Sequence, residues 1–227
     1  MRHRSSTAIA VSLLLCGCAS TKTVPIESTT TSTMSNQTIS YTDWPTPPFT
    51  ATTSGGVAVG ALFGAVGGAA MAIRAINMGN ELVKVNQIAD PADSMALSLT
   101  NALATSTSAT VGGPITPAGG KPQDIAASAQ PARYVVDVRT IGWGTMYYLA
   151  DLTRYGVVYQ ARMQVIDTTN NTVVAEAFCL QRPAKGEAAS APTYDELVAD
   201  GAVRLKALLA AAGETCAAKF RTEALKL

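Results

Sequence analysis

The chain has 227 residues, 48% of them hydrophobic but only 6% aromatic, and carries 17 basic against 16 acidic side chains. Near-neutral charge gives no electrostatic reason to seek nucleic acid, and the length allows one domain of ordinary size plus appendages. Its one histidine is His3, so Ser-His-Asp and Cys-His catalysis and the usual zinc sites are excluded from the rest of the chain, and no Ser-x-x-Lys sequence supplies the lysine-based alternative.

Arg2, His3 and Arg4 precede an apolar run, Thr7 to Leu15, that is far too short to span a bilayer. A basic start, a short apolar run and a small residue before the cut form a secretion signal over residues 1–17. The ending Leu15-Cys16-Gly17-Cys18 resembles the lipobox of bacterial lipoproteins. That resemblance implies cleavage before Cys18, a diacylglycerol on its thiol and a fatty acyl chain such as palmitate on the new amino terminus. Ala19 in place of Asp resembles lipoproteins sent on to the outer membrane, so the expected location is the cell envelope, lipid-anchored at the outer membrane and facing the periplasm. Cleavage removes Arg2 and Arg4 and no acid, leaving 15 basic against 16 acidic residues.

Residues 18–55 are rich in Ser, Thr and Pro without a sustained apolar period, and predict a mostly disordered tether. Residues 56–79 form a glycine-spaced apolar segment in which Gly56, Gly60, Gly64 and Gly68 recur every four residues and no charge falls between Asp43 and Arg74. On a helix these glycines share one face and let another backbone approach closely, as in a glycine zipper. A helix with four interior glycines loses roughly 1 kcal/mol at each, so a bilayer or a tightly packed partner must compensate. A membrane-embedded or oligomer-packing helix is expected.

Residues 80–227 predict an α+β domain: a small antiparallel sheet of three to four strands packed with an N-terminal and a C-terminal helix. Asp90-Pro91 is a helix start, with Met95, Leu99 and Leu103 following at helical spacing. Residues 105–121 are a loop holding at most one short strand, and Asp124 to Ala129 a brief helix. Tyr134 to Thr140 alternates, with Tyr134, Val136 and Val138 on one face. Tyr155 to Asp167 and Thr172 to Leu180 form a hairpin about the Asp167 to Asn171 turn. Thr193 and Glu196 form a capping box. The helix that follows carries Leu197, Leu205, Leu208, Leu209 and Ala212, is kinked at Gly213, and continues to Cys216 and Phe220.

With Cys16 removed and Cys18 acylated, only Cys179 and Cys216 remain. One lies on the apolar side of the last strand and the other on the sheet-facing stripe of the last helix. An oxidising envelope makes them a disulfide, the alternative being two separate buried thiols. Trp143, Tyr147 and Tyr148 in the connecting segment Ile141 to Arg154 form a contact surface or cover the end of the core.

The order of elements, and the run YGVVYQARMQVIDTTNNTVVAEA from Tyr155 to Ala177, resemble the periplasmic module of the curli-export lipoprotein family and related polysaccharide-export lipoproteins. The resemblance implies a non-enzymatic, ring-forming envelope component. The leading function is thus a membrane-anchored assembly component that associates with itself or with other envelope proteins, without cofactor, metal or nucleic acid. The alternative is an anchored binding protein for a cell-wall or envelope ligand, using the Trp143 segment. A hydrolase reading needs two carboxylates about 5–9 Å apart in a cleft.

Overall fold

The alternating stretches around Tyr134 and Tyr155 become the two strands that organise the molecule, and both run further than their pattern indicates. The computed structural model describes residues 23–54, 64–184 and 186–227. In chain order these form helix α1 (Ser28–Ser32), strands β1 (Thr38–Thr42) and β2 (Phe49–Ala51), and helices α2 (Gly64–Asn86) and α3 (Pro91–Thr107). Strand β3 (Thr110–Ile115), helix α4 (Pro122–Ser128), strands β4 (Tyr134–Tyr148), β5 (Asp151–Asp167) and β6 (Thr172–Gln181) and helix α5 (Tyr194–Lys219) follow, and a π-helical turn, Phe220–Leu225, closes the fold.

The fold is mixed α and β, and its sheet has six strands, larger than the three to four expected. The order is β3-β1-β4-β5-β6, with β2 also on β4. Strands β4, β5 and β6 form an antiparallel meander, whereas β1 and β2 run parallel to β4, and β3 parallel to β1. The predicted tether is therefore corrected from residue 23 onward. Ile39 pairs with Tyr134 and Phe49 with Trp143, so β1 and β2 follow one another along the same edge of β4. Pro45, Pro47 and Pro48 lie between them and cannot donate to a ladder, which divides this edge into two short strands. The expected boundary at residue 80 also moves, because α2 passes through it without a break.

One sheet face carries Tyr134, Val136, Val138, Tyr159, Ala161, Met163, Val165, Ala175 and Ala177 and is covered by Met95, Leu99 and Leu103 of α3 and Leu197, Leu205 and Leu209 of α5. Each fully buried large aliphatic side chain contributes about 1.5–3 kcal/mol relative to exposure. The other face has a smaller core, where Ile125 and Ala126 of α4 meet Val135 and Ile166. Next to it, Arg139 and Arg162 stand directly opposite each other on β4 and β5, an arrangement that repels. Two neighbours offset it. The Trp44 ring lies 3.8 Å from the Arg139 guanidinium carbon, and buried Asp137 sits 3.6 Å from Arg162. Trp44 Nε1–H also donates to Asp137 Oδ1 at 2.6 Å, so one indole braces both charges.

Helix α5 starts in the predicted capping box, with Glu196 N–H donating to Thr193 Oγ1 and Thr193 N–H to Glu196 Oε2. Its interruption falls at Ala199, Asp200, Gly201 and Ala202 rather than at Gly213. Gly213 has a packing role: a Cβ there would lie 2.6 Å from Pro91 Cβ, so its absence lets α5 close on the start of α3.

Candidate functional site

The sequence-predicted site residues are dispersed. Cys18, Gly56 and Gly60 lie outside the described residues, while Gly64 and Gly68 fall in the first turns of α2. Cys179 and Cys216 are joined as a disulfide with a Cα–Cα distance of 5.5 Å, fastening β6 to α5 inside the core. The aromatic segment is not a contact surface. Trp143 is buried edge-on against Phe49, with Nε1–H donating to Pro47 O at 2.9 Å. Tyr148 is also buried, and Tyr147 packs edge-on against Tyr155. The reason is register: β4 extends through Tyr148, with Trp143 and Tyr147 on the main core and Tyr148 against Ala188 and Ala191.

Exposed apolar side chains stand on α2 and at the β4–β5 hairpin. Helix α2 is held through its second half. Gly79 meets the Phe49 backbone so closely that a Cβ would lie 2.0 Å from Phe49 O. Asn80 Oδ1 accepts the Phe49 N–H at 3.1 Å, satisfying a donor on the outer edge of β2. Leu82 and Val83 pack on the main core. The C-terminal end of α2 leads to Asp90 beside Thr140, and Gly79 lies at Phe49, which pairs with Trp143.

Between Ala69 and Met78 several apolar side chains of α2 are exposed. Ala69, Ala70, Ala72, Ile73 and Met78 are exposed, Ile73 by 61%, and Arg74 is the only charge between Gly64 and Asn80. The hairpin adds Met146, Leu149 and Leu152, with Leu149 88% exposed. An apolar surface left open in this way marks an interaction site. Its sequence signal lies in the turn itself: Leu149-Ala150 stands where two-residue hairpin turns take Asn, Asp or Gly. Among the described residues no helix is long and apolar enough to cross a membrane.

A second feature is a cleft of about 360 Å3 lined by Trp44, Pro45, Pro47, Asp90, Asp93, Pro117, Arg139 and Thr140. Asp90 caps α3, accepting from Ala92 N–H at 2.9 Å and from the Thr140 hydroxyl at 2.5 Å. With that proton committed to Asp90, Tyr159, 3.0 Å away, donates to Thr140. Burial raises the Asp90 carboxyl above its ordinary range despite these bonds. Loss of hydration, then the charges of Asp90 and Asp43, push Asp93 up to about 6. Two carboxyls thus share a cleft, but Asp90 is already occupied as a cap. Among the described residues no cluster of three or more His, Cys, Asp or Glu could hold a metal ion.

No protein-family model matches the chain, and no curated protein matches it. A solved structure, the PelC L103M dodecamer from Paraburkholderia phytofirmans, aligns with 77% of this chain and 89% of that one at 16% identity and a TM-score of 0.22. A likeness at that score carries no inference about fold or function.

Proposed function

We propose that this protein is a cell-envelope lipoprotein, anchored through Cys18 at the outer membrane and facing the periplasm, that acts as a non-enzymatic assembly component for copies of itself or other envelope proteins. The observation that supports the reading is the apolar surface exposed on α2 and at the β4–β5 turn. Ile73 and Met78 on α2, and Leu149 at the turn, are side chains left in water that a partner would cover. Chemical cross-linking and native mass spectrometry of the detergent-extracted protein test this. Oligomers, or a co-purified partner, are expected for the natural chain and lost in an Ile73→Ser, Leu149→Ser double variant. A monomer indifferent to those changes counts against the reading. Lipidation is tested separately by the acyl mass on Cys18, which a Cys18→Ser variant lacks.

The cleft beside Trp44 favours a second reading, an anchored binding protein whose Arg139 and Asp93 face a polar ligand. Retention on purified cell-wall sacculi, lost on Asp93→Asn or Arg139→Ala substitution, would favour it over assembly.

A further inference from the structure

We infer that the surface carrying Val24, Leu97, Lys226 and Leu227 rests on the phospholipid headgroups, so that the anchor sets the direction in which the domain faces. The inference deepens the lipoprotein reading and rests on it. The described chain begins at Thr23, five residues beyond Cys18, and at about 3.5 Å per residue that leash spans at most roughly 18 Å. Its far end is fixed. Val24 exchanges two backbone hydrogen bonds with Glu176 of β6, both 2.8 Å, and Ile26 N–H donates to Ala224 O at 2.7 Å. A tether reaching residue 55 would have left orientation free, whereas this leash brings one corner of the domain to the bilayer.

The corner suits a lipid surface. Val24, Leu97 and Leu227 are each exposed, by 37%, 41% and 41%. Leu97, Arg221 and Leu227 line one groove along the outer side of α3, and the Arg221 guanidinium is held on Ser98 Oγ at 2.6 Å. Lys226 is exposed beside them, as are the acidic Glu27 and Glu223. Apolar side chains among charges of both signs match the zwitterionic and charged headgroup boundary of a bilayer. The opposite end is out of reach. The Val24–Glu176 pair lies on the row of Gln164, and 13 residues of β5 separate Gln164 from Asp151 at the hairpin turn, about 40 Å at 3.3 Å per residue. A bilayer that receives the corner therefore leaves the Leu149 end free for a protein partner.

Hydroxyl-radical footprinting on vesicles of phosphatidylethanolamine and phosphatidylglycerol tests this. Two preparations are compared with an unanchored Cys18→Ala chain: the natively processed protein, and an unacylated chain beginning at Cys18 and coupled through that thiol to a maleimide lipid. Oxidation of Leu97 and Leu227 is expected to fall severalfold in both, with Met146 and Leu149 unchanged. Unchanged Leu97 and Leu227 in the coupled preparation, or protection of Met146 and Leu149 instead, overturns the inference. Intact mass separates the two readings. Missing acyl mass with protection in the coupled chain defeats the native anchor alone, and acyl mass without protection defeats the membrane-facing surface alone.

Discussion

Helices α2 and α5 have 23 and 26 residues and are both rich in alanine, yet the fold uses them in opposite ways. Helix α5 has a full capping box, a buried stripe from Leu197 to Cys216 and a covalent bond to β6. Helix α2 has one point of close approach at Gly79, a few side chains behind it, and exposed apolar residues at both Ile73 and Val85. In α5 a buried stripe of side chains makes the contact with the sheet, and Gly213 admits Pro91 of α3. In α2 the missing side chain of Gly79 makes the contact possible. The first arrangement holds the domain together, and the second presents a surface that the domain can spare.

The sharpest way to break this contrast is to remove equal classes of side chain from each helical region. Phe220→Ala, in the turn that extends α5, should cost about 3–5 kcal/mol in urea unfolding, while Ile73→Ala should stay within roughly 0.5 kcal/mol. Similar losses would mean that α2 is also a core element. Reducing Cys179–Cys216 opens a loop of sequence separation 37. On the chain-entropy account it should lower stability by about 4 kcal/mol without changing hydrogen exchange in α2 relative to the rest.

Gly79→Ala probes the other side. The new Cβ meets the Phe49 backbone, which cannot swing away as a side chain would, and the cost should be about 1–3 kcal/mol. Hydrogen exchange should speed up through α2 and at Phe49 and leave α5 protected; loosening of both helices together would contradict the contrast. Thr193→Ala removes the α5 cap and should cost about 1 kcal/mol by the same unfolding measurement.

The smallest effect concerns Asp93, in the first turn of α3, where α3 abuts α5. Its carboxyl is raised toward about 6, so the folded state holds that proton more tightly than the unfolded chain does. This stabilisation is present below the ordinary carboxylate range and is lost as pH rises through about 6. Comparing urea midpoints at about pH 4 and about pH 8 should show a smaller fall with rising pH for Asp93→Asn than for the natural chain.

How much of this was legible depended on whether each element finds its partners nearby. The β5–β6 hairpin, the Asp90 and Thr193 caps and the facing cysteines all follow from patterns a few residues long. Strands β1 and β2 do not. Thr38–Thr42 and Phe49–Ala51 are short, polar in part and separated by prolines, and their strand character comes from pairing with β4 far along the chain. The Ile141 to Arg154 connection misled for another reason. Gly142 and Gly144 interrupt the alternation, yet a Cβ at Gly144 would lie 2.2 Å from Thr50 O, so glycine there admits β2. The exposed apolar surface was half legible: the glycine-spaced run was evident, but Leu149 stood in a segment expected to be a connector.

The parallel pairing of β1 with β4 joins Ile39 to Tyr134 across 95 positions of chain. A polypeptide made amino terminus first therefore delivers β1 well before its partner exists. The local meander of β4, β5 and β6 can form early, but the edge it offers to residues 38–51 is filled only by closing a long loop, the slow kind of contact. Assembly thus runs backwards relative to the order of arrival. The strand that is made first is the last to find its partner.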